Sequence, residues 1–450
     1  MTTAEMTSQD ILALTREHTL YDWSVQSALS AIPIDHAQGI YLWDTDGKRY
    51  MDFNSQLMSV NIGHGDERVL DAVTRQMRRV SFVSPTTFTT DIRAEAGRML
   101  AEVTPANLTK AFFTTGGADA VENAIRMARL VTGRHKIMAR YRSYHGATAG
   151  ALSLTGDPRR WPAEPGIPGV VRIPDFYPYR AGVEPDDAAY TAQILQMTED
   201  IIQFEGSHTI AALIAETVVG TNGILIPSEG YVRGLRELCT KYGIMYIADE
   251  VMCGFGRTGK WFAVDHWGVQ PDIMTVAKGL TSSYVPLGAA VVSAEIAEYF
   301  ETRFLNAGLT YHAHPVGCAA AVANMHIYRE DRLIENAATL GVILKQELEA
   351  IKSRHACVGD VRAIGLFSTL ELVKSKQTRE PLVPFNPSGA ALAPANKLKA
   401  FFFEHGLFTL VRWNTVFCNP PLCINEAQRR EGLAIIDEGL GLLDDLAAEV

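Results

Sequence analysis

The sequence predicts an α/β fold, a large doubly wound and mostly parallel sheet domain joined to a smaller α+β domain built from both chain ends. Through the middle of the chain, short apolar runs alternate with amphipathic stretches, the pattern of a parallel sheet wrapped by helices. The two ends read differently, with a hairpin near residue 45 and mixed helices and strands after residue 330. A chain of 450 residues is also long enough to divide into more than one domain. The expected division is 1–62 and 331–450 for the two parts of the small domain and 63–330 for the large one.

Ile40–Trp43 and Arg49–Phe53 read as strands joined by the polar, Gly-containing turn Asp44–Gly47. Lys110–Thr115 reads as a strand, and a helix is expected from Gly117 onward. Lys136–Ala139, Thr209–Ala215, Ile244–Ala248, Ile273–Val276 and Gly288–Val292 are further candidate buried strands. Between them, Ala188–Phe204 and Gly230–Tyr242 carry apolar residues at helical spacing. One long helical pattern runs from about Pro315 to Ser353. Strands within Val361–Leu372, a Pro-rich loop over residues 381–394, a helix near Asn396–His405 and the strand Thr415–Cys418 complete the pattern.

Composition narrows the class. A net charge of -10 without a basic run argues against nucleic-acid binding. The six cysteines show no C-x-x-C spacing, which fits reduced thiols in a cytoplasm better than a disulfide frame or a zinc site. The polar start Met1–Asp10 lacks a hydrophobic signal region, and no apolar run is long enough to span a bilayer, Thr209–Gly220 being interrupted by Glu216. A soluble cytoplasmic protein is expected, with no membrane partner.

The chemistry is concentrated at strand ends. Asp249 closes one apolar strand and Lys278 follows another. A pyridine cofactor held as a Schiff base needs such a pair, the amine for the covalent link and the carboxylate to keep the ring nitrogen protonated. These residues read as the two poles of a pyridoxal 5'-phosphate (PLP) site. Thr114-Thr-Gly-Gly-Ala-Asp119 offers a Gly-rich turn between strand and helix, where Gly116, Gly117 and Ala118 can present amides to a phosphate. Tyr144, in Tyr144-His145-Gly146, is suited to one face of a planar ring. Val251, two residues past Asp249, is the candidate for the other face. Taken singly, each residue has a plainer reading: Lys278 as a helix-start lysine, Asp249 as a cap, Tyr144 as core, Arg412 as a surface charge. His312 and His314 share a strand face but have no third ligand nearby, so they read as structural or interface residues. Arg257 reads as a loop-fixing or interface charge.

The ordered set of motifs resembles the class III aminotransferases of PLP fold type I over nearly the whole chain. It comprises Gly63-His-Gly65, Thr115-Gly-Gly-Ala-Asp-Ala120, Tyr144-His-Gly146, Glu216, Asp249-Glu-Val251, Gly254-Phe-Gly-Arg-Thr-Gly259, Lys278-Gly-Leu280, Pro286-Leu-Gly288 and Thr310-Tyr-His-Ala-His-Pro315. Val60–Gly65, Lys278–Ser282, Val411-Arg-Trp413 and Asn419–Cys423 are similar to the ω-amino-acid:pyruvate enzymes of the taurine and β-alanine branch. The resemblance implies that Lys278 is the catalytic lysine and proton carrier and that Asp249 pairs with the pyridinium. Gly116, Gly117, Ala118, Tyr144, His145, Gly146, Glu216, Val251 and Thr310 would surround the cofactor, Thr310 reaching the phosphate from a partner subunit. A homodimer or dimer-based tetramer is therefore implied. Leu57, Met58, Tyr144 and a mobile Arg412 would line the substrate pocket, with no metal required. The implied partners are an amine donor and a keto acid acceptor, most directly pyruvate.

Two departures qualify the resemblance. The family's Ser-Gly-Ser-Glu phosphate turn is here Gly116-Gly-Ala-Asp119, so backbone amides carry more of the phosphate and weaker cofactor retention is expected. Leu57-Met58 stands where amine-transaminating relatives carry a bulky aromatic. A 4-aminobutyrate or ornithine enzyme using 2-oxoglutarate is an alternative that needs a second fixed arginine. An aminomutase would carry a different run around its lysine, and a non-catalytic PLP-binding regulator would need a fused DNA-binding segment.

Overall fold

The structure, a computed structural model, describes residues 6–447; the Met1–Glu5 part of the polar N-terminal reading lies outside the described residues, as do residues 448–450. Its large sheet has seven strands in the order Leu108–Thr114, Gly288–Ser293, Ile273–Val276, Met245–Asp249, Ile210–Glu216, Lys136–Arg140 and Val170–Ile173. Gly288–Ser293 runs antiparallel to both neighbours, and the other pairs are parallel. The expected mostly parallel sheet is present. Ile210–Glu216 is buried at every position, which is why its sequence is a continuous apolar run. Helix Gly117–Thr132 covers the sheet with Ala120, Val121, Ala124, Ile125 and Ala128, a 3.6-residue stripe, and stops at Gly133 in the left-handed region at φ 66°.

The chain ends meet in a separate sheet. Ile34–Gln38, Tyr41–Asp44 and Arg49–Asp52 form an antiparallel set, and Leu407–Phe408 adds in parallel, with Leu407 opposite Met51. A third sheet joins Val358–Ile364, Phe367–Leu372, Thr415–Cys418 and Val411–Arg412. We propose 62/63 and 330/331 as the boundaries between the small and large units.

The structure corrects the long helix expected over Pro315–Ser353. It is two helices, Pro315–Glu330 and Leu333–Arg354, separated at Arg332, whose φ is 52°. The apolar spacing runs on across the break, but Asp331 caps the first helix and pairs with Arg68 at 2.6 Å. The helix expected from Asn396 begins at Ala393, because Pro394 lies in the first turn, where its missing N–H leaves no helix bond unmade. Helices Glu67–Arg79, Asp91–Val103 and Glu426–Gly441 were not read from the sequence, although Asp66, Thr90 and Asn425 cap them. Strand Val170–Ile173 was also missed, four residues at the sheet edge that follow the turn Gly169.

Glu371 ties the third sheet to the large unit. Its carboxylate is 1% exposed and accepts from Tyr177, Arg180 and, at 2.6 Å, Arg362. Burial pushes its pKa up, but Arg362 and Arg180 outweigh that and hold it at about 2, below the ordinary 4.5. A depressed carboxylate contributes stability that is complete above pH ~4.5 and fades as pH falls towards 2. Glu371→Gln should therefore cost about 3–5 kcal/mol at pH 7, the range for breaking a buried ion pair. Urea unfolding of both proteins should show the gap narrowing between pH 4.5 and the acid limit.

Candidate active site

The candidate residues converge at the C-terminal ends of the parallel strands, the edge at which open α/β sheets bind ligands. Strand register places Glu216 beside Asp249 and Asp249 beside Thr275 on adjacent strands. Asp249 is 3% exposed and fully partnered: His145 Nδ1 lies at 2.6 Å, and its Oδ1 accepts from the Val251 amide (3.1 Å) and Thr275 Oγ1 (3.2 Å). His145 Nε2 is buried with no hydrogen-bond partner among the described residues. Glu216 accepts from the Tyr144 amide at 2.9 Å and the Gly220 amide at 2.7 Å. Burial raises the Glu216 pKa, the neighbouring Asp249 charge adding to it against the pull of His145 and the two amides.

Lys278 follows strand Ile273–Val276 with φ 42°, in the left-handed region that a non-glycine residue adopts at a cost. The backbone behind it is clamped, since Asn324 Nδ2 and Tyr328 Oη donate to the Gly279 carbonyl at 2.7 and 2.8 Å. A side chain at Gly279 has no room, as its Cβ would fall 2.6 Å from Asn61 and 2.7 Å from Phe255. Burial lowers the Lys278 pKa to about 8, overriding the attraction of Asp249 and Glu216. With its pKa near 8, about a tenth of the amine is unprotonated at pH 7, far more than for an ordinary lysine, which suits a nucleophilic amine.

Gly116 is the N-cap of the 16-residue helix Gly117–Thr132, and no side chain caps that end. The strand ends at Asp249, so Val251 lies in a turn rather than on the extended segment expected. It nevertheless reaches the Gly-rich turn: a Cβ on Gly117 would meet Val251 Cγ1 at 2.9 Å. Gly146, at φ 136°, packs so closely on Ala118 that a Cβ would sit 2.6 Å from the alanine methyl. The phosphate turn and the Tyr144–Gly146 loop are thus interlocked, and Thr115 adds a hydroxyl bond to Asp119.

Tyr144 carries the guanidinium of Arg159 over its ring at 3.6 Å, with the edge of Trp23 at 6.4 Å. Arg159 was not anticipated from the sequence, and neither were Asp157, Thr275, Trp23 or Asn222, whose Nδ2 donates to Asp157 Oδ2 at 3.1 Å. The one available signal was Asp157-Pro158, the N-cap and N1 pair of the short helix Pro158–Ala163. Asp157 is 1% exposed and forks onto Arg159 at 3.0 and 2.5 Å. It also accepts from Arg412 Nη2 at 3.2 Å, so the expected substrate arginine does come to this site. Burial and the charge of Arg159 lower the Arg412 pKa to about 10, against the pull of Asp157.

The remaining candidates are less closely gathered. Met58 is buried at 2% exposure, whereas Leu57 turns outward at 72%. Ser55, Gln56 and Met58 all have positive φ, a strained run held by Asp52, which accepts from the Asn54 and Gln56 amides. Arg257 is wholly buried and pins the same run, donating to Ser55 and Asn61 at 2.8 Å and to the Leu366 and Pro420 carbonyls. Its loop-fixing reading is visible in these bonds. Thr310 is exposed and makes no hydrogen bond to the other candidates, and the next residue, Tyr311, is exposed as well. His312 bonds the Phe113 carbonyl and Arg93, and His314 accepts from the Val316 amide.

A half-buried lysine with a lowered pKa, a fully fixed carboxylate and an uncapped helix N-terminus with close-packed glycines fit a phosphorylated pyridine aldehyde. The comparisons agree. The class III aminotransferase family model matches residues 23–440. The chain is 35% identical to the putrescine–pyruvate aminotransferase of Pseudomonas aeruginosa, over 97% of this chain and 96% of that protein. It is 33% identical to the taurine–pyruvate aminotransferase of Bilophila wadsworthia, over 77% and 78% of the two chains. Among solved structures, the taurine:2-oxoglutarate aminotransferase of Bifidobacterium kashiwanohense, in complex with PLP and glutamate, is similar at a TM-score of 0.95 and 41% identity. That match covers 98% of this chain and 99% of that one.

Proposed function

Because the chain belongs to the class III aminotransferases, we propose that it moves the amino group of an acid-bearing ω-amine, such as taurine or β-alanine, to pyruvate in a ping-pong cycle. PLP is the cofactor of this family and supplies, when bound, an electron sink for the negative charge left on the substrate carbon. The amides of Gly116, Gly117 and Ala118 hold its phosphate. Tyr144 and Val251 enclose its ring, with His145, Gly146 and Glu216 around them. Asp249, oriented by His145, supplies the negative charge at the ring nitrogen. Lys278 Nζ removes the proton from the amine-bearing carbon and returns it. Leu57 and Met58 border the substrate. Thr310 serves the partner subunit's site, which makes the working unit a homodimer or a dimer-based tetramer.

The observation that carries the substrate class is the sharing of one buried carboxylate, Asp157, by two guanidinium groups, Arg159 and Arg412, beside Tyr144. Such a cluster suits an anionic substrate terminus. The same observation favours a second reading, in which 2-oxoglutarate is the acceptor and its two carboxylates use the two arginines. The likeness to the taurine:2-oxoglutarate enzyme supports it. No helix among the described residues is long and apolar enough to cross a membrane, and all six cysteines are free. Free thiols support a cytoplasmic location.

The test records the visible spectrum of the PLP-loaded protein as taurine, β-alanine, 4-aminobutyrate, putrescine, ornithine or L-alanine is added singly, without keto acid. Taurine or β-alanine should bleach the band, and pyruvate should restore it. Restoration by 2-oxoglutarate alone selects the second acceptor. Bleaching only by putrescine rejects an acid-bearing donor, bleaching only by 4-aminobutyrate or ornithine rejects taurine and β-alanine as the donors, and no bleaching at all rejects transamination of these donors.

A further inference from the structure

Asp157 distributes its bonds unevenly between the two arginines. Arg159 is locked: its Nε and Nη2 fork onto the carboxylate, Nη2 also reaches Thr221 Oγ1 at 2.9 Å, its backbone amide is capped by Asp157 Oδ1, and its plane lies on Tyr144. Among the described residues, Arg412 has a single side-chain bond, of 3.2 Å to Asp157 Oδ2, and a contact of 4.2 Å with the Trp413 ring, while its Nε is buried without a partner. It sits on the two-residue edge strand Val411–Arg412, followed by Trp413 at φ 52°. The Oδ2 atom it touches is already shared with Arg159 and with Asn222 Nδ2 at 3.1 Å. An oxygen so divided holds its last donor weakly.

We infer that Asp157 is a stand-in for the substrate's acid group, a latch that holds Arg412 between substrates and yields it to an incoming carboxylate or sulfonate. The inference rests on the reading that Arg412 receives the substrate acid. A ping-pong enzyme must bind and release two different acids at one cation in each cycle. A competing internal carboxylate keeps that cation from trapping either of them, at the cost of weaker binding for both. Asp157 touches neither reacting atom in this role; it positions Arg412 and sets specificity.

A purely structural Asp157, capping Pro158–Ala163, predicts no tightening on replacement by asparagine, which caps equally well, whereas a latch predicts tighter acid binding. The probe is ethanesulfonate, an acid without an amine, titrated calorimetrically into PLP-loaded protein. Asp157→Asn removes the competing charge and should tighten ethanesulfonate about tenfold, the worth of one charge-assisted hydrogen bond. It should lower KM and kcat together for taurine, because release slows. The gain should vanish in the Asp157→Asn, Arg412→Ala double variant. Unchanged or weaker ethanesulfonate binding in Asp157→Asn overturns the latch. Asn222→Ala changes no charge and guards against misfolding of the first variant. It returns part of Oδ2 to Arg412 and should weaken ethanesulfonate about twofold to threefold; unchanged or tighter binding again overturns the latch. If Arg412→Ala alone leaves ethanesulfonate binding unchanged, the reading of Arg412 as the acid's partner fails, a result distinct from failure of Asp157 as its competitor.

Discussion

Lys278→Ala is expected to lower transamination by about 10⁴-fold or more, because it removes the proton carrier as well as the amine that anchors the cofactor. The loss should fall on chemistry and not on folding. Lys278 is only partly covered, and its backbone is held from behind by Asn324 and Tyr328 through the Gly279 carbonyl, bonds that do not involve the lysine side chain. The thermal midpoint should therefore move little, and the phosphate cradle at Gly116–Ala118 should still bind PLP without a covalent link. Two readouts separate this outcome from a structural lesion. Added methylamine should restore a part of the activity, since a small amine fits the space of the missing side chain. In the cofactor-free wild type, labelling of Lys278 by an amine-selective reagent should be half-maximal near pH 8, where burial sets its pKa, and not near 10.5. Retention of more than a tenth of wild-type activity by the alanine variant would remove Lys278 from the catalytic role.

What the sequence disclosed is what a strand and its own following turn can encode. Asp249, Lys278, Glu216 and Gly116–Ala118 each close an apolar run, so an alternating α/β pattern carries them to one edge of one sheet. The mostly parallel sheet was legible for the same reason, because its central strands are buried on both faces. The Asp157–Arg412 contact was not legible, since it joins residues 255 positions apart and neither belongs to a periodic segment. Arg159 escaped because its neighbour Asp157 reads locally as a helix cap, which it also is. The break at Arg332 escaped because apolar spacing continues through it, and only the left-handed backbone of one residue ends the helix. Leu57 and Met58 were read as a pair, yet a run of positive φ angles, held by Asp52 and Arg257, turns one out and the other in. Local chemistry is written in short words; convergence across the fold is not.

Asp249→Asn should lower kcat by about 10³-fold while the protein stays folded, the range found when one preorganised charge or donor is removed from a catalytic site. The substitution is isosteric, and the three partners of Asp249 have answers in an asparagine. Its Oδ1 still accepts from the Val251 amide and Thr275 Oγ1, now at 3.1 and 3.2 Å, and its amide faces His145 Nδ1, a ring nitrogen that can accept. What changes is the charge. A neutral amide cannot hold a pyridine nitrogen in its protonated form, so the ring withdraws electrons less strongly from the substrate carbon. The loss should therefore appear in the rate of substrate-proton removal, seen as a larger isotope effect with donor deuterated at that carbon. Binding of ethanesulfonate, which depends on the Asp157 cluster, should be unchanged. If Asp249 were only a turn-forming cap after strand Met245–Asp249, the asparagine would preserve its function and kcat would fall by less than tenfold. His145→Ala should sit between the two, since it releases the orientation of Asp249 but leaves its charge.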